Sequence, residues 1–195
     1  MDCRTGPLNL PNLLTLGRIA CIPLLVALLL VEGRTSSFLA ALVFSLAAIT
    51  DWLDGYLARK WQVVTVLGKF LDPLADKLIV MAALIMLIPH GRVPAWAVFV
   101  LLAREIVVTG LRSIAASEGI VIAASNLGKY KTILQMVAII GLLLHYDYYW
   151  FFGLRIEWLH VSMQRFGLLY FYFALVLTVW SGIDYLVKFS RVINR

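Results

Sequence analysis

Four aspartates between positions 51 and 76 are the residues of this chain best suited to chemistry. Asp51 and Asp54 stand three apart, and Asp72 and Asp76 four apart, so each pair shares one face of a helix. A tight connection between the two helices would gather all four carboxylates. Long apolar runs flank them, which puts the cluster at the edge of a bilayer. An Asp costs roughly 2.5 to 3.5 kcal/mol near the centre of a membrane span and less toward its end. Four would cost on the order of 10 kcal/mol before their mutual repulsion is counted. Hard divalent cations are the natural compensation, because Mg²⁺ prefers carboxylate, water and phosphate oxygens. Two such ions would neutralise four carboxylates and still attract a pyrophosphate. Gly55, Ala58 and Gly68 fit the same chemistry, since missing side chains let a ligand or another helix approach the backbone. Arg59, at the end of the first helix, supplies a planar fork for phosphate oxygens.

As a pattern the stretch reads D-x2-D-G-x2-A-R-x8-G-x3-D-x3-D, with eight fixed positions. Carboxylate pairs taken singly are more often solvated faces or caps than metal sites. Eight positions, each met by chance about one time in twenty at average composition, are not a coincidence. The pattern resembles, at every fixed position, the signature of the CDP-alcohol phosphatidyltransferases, integral-membrane enzymes of phospholipid synthesis. That resemblance implies a CDP-linked lipid donor and an acceptor alcohol whose hydroxyl attacks the phosphorus bearing the lipid, with CMP leaving. It implies that Asp51, Asp54 and Asp72 chiefly bind metal, as two Mg²⁺ or Mn²⁺ ions. Asp76, matching the last aspartate of the signature, would be the general base and would also touch a metal. Gly55, Ala58, Arg59 and Gly68, together with Asp51, would line the nucleotide and pyrophosphate site.

The elements that must position these residues follow from composition and punctuation. Of 195 residues, 62% are hydrophobic and the mean hydropathy is +0.90; a soluble domain is nearer half apolar. The expected fold is all-α, a single polytopic membrane domain over residues 1–195 with about six transmembrane helices. Leu10-Pro11-Asn12 opens the first, with Asn12 as cap, and the run continues to about residue 31. Arg18 lies within this run and no small-residue cleavage spacing follows, so a retained helix is expected rather than a signal peptide. Further spans are expected over 35–59, 69–88, 94–116, 126–146 and 166–189. Trp61 would anchor the turn after the second span at the interface, and Pro94 suits the first turn of the fourth. Aromatic residues from Tyr146 to Phe152 mark a membrane–water boundary, followed by an interfacial or irregular piece over 153–162.

Charge sets the orientation. The formal net charge of +6 suits a basic face beside anionic headgroups. With both termini inside, only Arg34, Arg92, Arg155 and Arg165 of the 17 Lys and Arg residues fall outside. This bias puts the active site on the cytoplasmic side, where nucleotides are found. Cys3 and Cys21 are the only cysteines, one before and one inside the first span, and form no disulfide framework. His90, His145 and His160 fall near the outer boundary as interfacial residues, and Asp184 stands within reach of neighbouring basic residues near the end of the last span.

A second constellation concerns the acceptor. Arg104 lies deep in the fourth span beside Glu105, Arg112 lies two turns further on, and Lys129 and Lys131 open the fifth span. Basic residues at span ends commonly snorkel to headgroups, but Arg104 is too deep to do so and needs Glu105, an aqueous cavity or an anion. Together these cations suit an acceptor that carries its own phosphate. Asn9-Leu10-Pro11-Asn12 with Thr15 and Arg18, Ala103-Arg104-Glu105-Ile106 with Leu111-Arg112, and Gly128-Lys129 with Lys131-Thr132 resemble a bacterial branch of the same family. That resemblance implies CDP-diacylglycerol as donor, sn-glycerol 3-phosphate as acceptor, a homodimer, and a multi-pass protein of the bacterial inner membrane. It assigns Arg104, Arg112, Lys129 and Lys131 to the acceptor phosphate, and Thr15 and Arg18 to the neighbourhood of the nucleotide or its phosphates. An alternative acceptor is inositol phosphate, which charge alone leaves open. A cation transporter using membrane carboxylates is the rival of a different class, but internal repeats and broken midplane helices are not evident in the chain.

Overall fold

The computed structural model describes residues 10–61, 66–117, 127–148, 150–151, 154–155 and 161–193, with side-chain surroundings for 13–51, 71, 74–117, 130–146 and 162–191. Six helices occupy nearly all of this: α1 (Leu10–Leu30), α2 (Arg34–Trp61), α3 (Val66–Leu87), α4 (Ala95–Ser117), α5 (Leu127–Leu144) and α6 (Met163–Ile193). Each expected span has its helix, with ends displaced by a few residues; Asn12, expected to cap the first, lies inside it, because α1 already starts at Leu10. Between α5 and α6, where an irregular piece is expected, the described residues form two-residue antiparallel pairs. Strand β1 (Asp147–Tyr148) pairs with β4 (Val161–Ser162), and β2 (Trp150–Phe151) with β3 (Leu154–Arg155). The chain divides into two compact units, Met1–His90 and Gly91–Arg195.

In the first unit α1 packs on both α2 and α3. Its core mixes Leu25, Leu29, Phe44, Ile79 and Leu84 with Ala40, Ala47, Ala75 and Ala83, all buried. Small residues at these positions let helix backbones approach closely, which is how helices associate where lipid removes the hydrophobic drive. The connection between α1 and α2 is closed locally. The Ser36 hydroxyl donates to the carbonyls of Val31 at 2.5 Å and Gly33 at 2.9 Å, and Ser37 N–H donates to Gly33 O at 3.0 Å. His90 Nε2 lies 2.8 Å from Leu29 O and ties the end of α3 to the end of α1. The turn then leaves through Gly91 at φ 64°, a left-handed backbone that favours glycine.

In the second unit α5 and α6 form the tightest seam. Gly141 and Gly167 face each other there, and a Cβ on Gly167 would stand 2.7 Å from Leu142 N. Pro94 starts α4 by accepting from Ala97 N–H at 3.1 Å and Val98 N–H at 3.3 Å. Arg92, counted above on the outer side, is buried and reaches the carbonyls of Leu142 and Leu143 at 3.5 and 3.4 Å. These are end-of-helix carbonyls that α5 cannot satisfy itself, and a cation suits the negative end of its dipole. Among the described residues, two helices are long and apolar enough to cross a bilayer, Leu13–Leu30 and Met163–Arg191, and Tyr130–Leu144 is apolar but shorter. Leu24, Phe38, Ile49, Phe99, Phe173 and Trp180 are all exposed. An exposed apolar surface of this extent suits lipid rather than water as solvent.

Candidate active site

Two groups of charged side chains occupy the helical interiors, one in each unit. In the first unit, Arg18 on α1 is buried because α1 faces both neighbours, and a buried guanidinium requires a partner. Its Nη1 donates to Asp51 Oδ1 at 2.5 Å, with side chains 1% and 32% exposed respectively. Thr15 lies one turn earlier on the same face and is fully buried. Arg18, one of the two residues expected near the nucleotide phosphates, thus directly supports the first aspartate of the pattern. Asp76 is half-buried on α3, between the buried Ala75 and Ile79. The helical backbone of α2 carries Asp54, Gly55, Ala58 and Arg59, and that of α3 carries Gly68 and Asp72, but their side chains lie outside the described residues. Among the described residues, no three His, Cys, Asp or Glu side chains form a metal group. The donor set itself, carboxylate oxygens at three- and four-residue helical spacing, fits a hard divalent cation. Asp51 also retains acceptor capacity beyond the one bond from Arg18, since a carboxylate offers about four lone-pair sites.

In the second unit, α4, α5 and α6 contribute to one cluster. Glu105 on α4 accepts from Lys131 on α5, and Arg104 Nη1 lies 3.7 Å from the same carboxylate oxygen. Lys131 is therefore turned inward and buried, not extended toward headgroups. Arg104 Nη2 donates to Ser181 Oγ on α6 at 2.8 Å, and the Ser181 hydroxyl donates in turn to Thr178 O at 3.2 Å. The stem of Arg104 lies against Gly182, where a Cβ would come within 2.9 Å of its Cγ. Arg112 places its guanidinium carbon 5.9 Å from the ring centroid of Tyr185. Lys129 lies on the α5 backbone, with its side chain outside the described residues. Lys131 and Arg104 both reach the carboxylate of Glu105, and the exposed Arg112 lies beside Tyr185. Cations gathered in this way suit an anionic ligand.

The α6 residues Thr178, Ser181, Gly182 and Tyr185 were not singled out from sequence. Their signal was present as small and polar residues recurring every three or four positions in an otherwise apolar helix. Of the remaining polar positions, Asp184 pairs with Lys188 at 2.7 Å, one turn along α6. His145 Nδ1 lies 3.3 Å from Leu143 O, Cys21 is a free thiol, and Cys3, His160 and the 118–126 loop lie outside the described residues.

Comparison with known proteins agrees with this chemistry. An enzyme of Bacillus subtilis (strain 168), named CDP-diacylglycerol–glycerol-3-phosphate 3-phosphatidyltransferase, is 49% identical over 149 residues, covering 70% of this chain and 77% of its own. Enzymes of the same name from Haemophilus influenzae (strain ATCC 51907 / DSM 11121 / KW20 / Rd) and Escherichia coli (strain K12) are each 40% identical. The first aligns over 185 residues, 91% of this chain and 91% of its own, and the second over 184 residues, 91% and 93%. Residues 8–180, which include the whole aspartate pattern and the Arg104–Glu105–Lys131 cluster, match one family, and the chain belongs to it: the CDP-alcohol phosphatidyltransferases.

Proposed function

We infer that this protein transfers the phosphatidyl group from CDP-diacylglycerol to sn-glycerol 3-phosphate, giving phosphatidylglycerophosphate and CMP. The observation that carries the reading is the complete aspartate pattern within relatives that share that name over nine-tenths of the chain. The acceptor is further supported by the basic side chains gathered around Glu105, since a phosphate-bearing alcohol suits such a group.

In the reaction, a hydroxyl oxygen of the acceptor forms a bond to the phosphorus that bears diacylglycerol. The bond from that phosphorus to the CMP oxygen breaks, and CMP leaves with the electron pair. Asp76 takes the hydroxyl proton. Asp51, Asp54, Asp72 and Asp76 would hold divalent metal, Mg²⁺ or Mn²⁺, and four carboxylates balance the charge of two such ions. Bound there, metal would stabilise charge on the pyrophosphate oxygens. Arg18 orients Asp51, and Thr15 stands beside it. Gly55, Ala58 and Gly68 leave room for the nucleotide, and Arg59 binds its phosphates. Arg104, Arg112, Lys129 and Lys131 bind the acceptor phosphate, with Glu105 keeping Arg104 and Lys131 in place. The chain crosses the bacterial inner membrane six times, with both termini and the active site on the cytoplasmic side. The family resemblance supports a homodimer.

The test is an acceptor panel. Purified protein in detergent receives CDP-diacylglycerol, Mg²⁺ and, separately, glycerol 3-phosphate, inositol phosphate, serine or glycerol, and CMP release is followed. Release is expected with glycerol 3-phosphate and is abolished by chelation of the metal. CMP appearing with inositol phosphate but not with glycerol 3-phosphate overturns the acceptor assignment.

A further inference from the structure

The α6 face that supports Arg104 ends in Tyr185, whose ring packs under Arg112 and whose hydroxyl is unsatisfied among the described residues. Tyr185 is only 5% exposed. Thr178 Oγ1 and Arg104 Nε are likewise buried without partners along the same seam. Native proteins leave few buried polar atoms unpaired, and each such atom calls for an explanation. Three on one seam point to something that completes them. The seam is also where the cations gather: Ser181 holds Arg104 Nη2, and the ring of Tyr185 lies under Arg112. Ser181 and Tyr185 are one turn apart and share a helix face. A long side chain on a helix leans back over the preceding turn, which directs the Tyr185 hydroxyl toward the level of Ser181 and Arg104. Ser181 has no donor to spare, because its own hydroxyl hydrogen goes to Thr178 O. Tyr185 has one.

We propose that the Tyr185 hydroxyl is a further ligand for the acceptor, donating a hydrogen bond to the phosphate held by Arg104 and Arg112. Ring and hydroxyl then act together: the ring steadies Arg112 while the hydroxyl adds a directional donor. The inference rests on the assignment of these arginines to the acceptor phosphate. A hydrogen bond to a charged group is strong enough that its loss weakens binding about tenfold or more.

Tyr185→Phe removes the hydroxyl and keeps the ring under Arg112. The expected result is a KM for glycerol 3-phosphate raised about tenfold. KM for CDP-diacylglycerol, kcat at saturating acceptor and the melting temperature in detergent should hardly change. Inorganic phosphate, tested as an inhibitor competing with glycerol 3-phosphate, should lose potency by a similar factor in the variant. An unchanged KM and an unchanged phosphate inhibition overturn the proposal. So does a rise in KM for both substrates with a lower melting temperature, which assigns Tyr185 to packing. Arg104→Gln and Arg112→Gln run in the same assay separate the two levels of inference. If they raise the acceptor KM and Tyr185→Phe does not, Tyr185 is excluded and the acceptor site stands. If neither arginine variant changes it, the acceptor site itself is misassigned.

Discussion

Asp51 accepts from the buried Arg18 at 2.5 Å through one oxygen, and the rest of its carboxylate is proposed to hold metal. Asp51→Asn therefore removes a carboxylate partner from a guanidinium 1% exposed and, on that proposal, a charge from the metal site. Removing one partner of a fully buried pair costs roughly 3–5 kcal/mol, and the partial exposure of Asp51 brings the expected loss below that range. Asp76→Asn has a narrower effect. It should lower turnover by about 10² to 10⁴-fold, the range for loss of a general base, while keeping more CDP-diacylglycerol binding than Asp51→Asn keeps. Direct titration of the lipid nucleotide into both variants is the measurement, and equal loss of binding would remove support for Asp76 as the base. Arg104 invites a third substitution. Its fork reaches Ser181 and Glu105 together, which a lysine point charge does not reproduce, so Arg104→Lys should raise the glycerol 3-phosphate KM about tenfold despite conserving charge. The aspartates and Arg104 were legible in sequence because a charge in an apolar run is rare and demands a reason. Ser181 was not. Serine is ordinary in membrane helices, and its partner lies 77 positions away in the chain.

Helices α5 and α6 approach closely because two glycines meet. A Cβ on Gly167 would fall 2.7 Å from Leu142 N and 2.8 Å from its Cγ, and the first of these is backbone that cannot swing aside. Gly167→Ala should therefore destabilise by about 1–3 kcal/mol, the usual cost of overpacking. Gly110 on α4 is the control, since nothing lies within 4 Å of a Cβ built there. Gly110→Ala should be neutral or stabilising by about 0.5–1 kcal/mol, from the better helix propensity of alanine. Thermal unfolding of both variants in the same detergent separates them, and equal melting temperatures would show that the Gly141–Gly167 contact does not limit stability. Helix positions could be read before the structure because Pro94 and Gly91 punctuate the apolar runs, whereas Asn12, expected as a cap, falls inside α1. Helix partners could not. Gly167 and Gly110 look alike in sequence, and only the neighbouring helix tells a required glycine from a tolerated one. Arg92 shows the same limit, since its sequence position gave its charge but not the α5 carbonyls it caps.

At the scale of the whole molecule the open question is how often the chain crosses the membrane. By length and apolarity, Leu13–Leu30 and Met163–Arg191 qualify as spans among the described residues. Helices α2, α3 and α4 carry the charges of the two clusters, which lowers their hydropathy whether or not they cross. Two crossings and six crossings both return the C-terminus to the side of the N-terminus, so locating the termini does not discriminate. The connections do. If only α1 and α6 cross, everything from residue 31 to residue 162 lies on one side, and cysteines introduced at Glu32, Gln62, Glu118 and Tyr149 react alike. If all six cross, the sides alternate. With Cys3 and Cys21 replaced by serine, Glu32→Cys and Tyr149→Cys should then react with a membrane-impermeant maleimide in intact cells. Gln62→Cys and Glu118→Cys should react only after the membrane is opened. Alternation is expected, because a charged interior such as Arg104, Glu105 and Lys131 is stable in lipid when its members pair, as they do here. Four equal reactivities would limit the crossings to two, and labelling of Gln62→Cys from outside would put the aspartates on the side of the membrane away from the nucleotide supply.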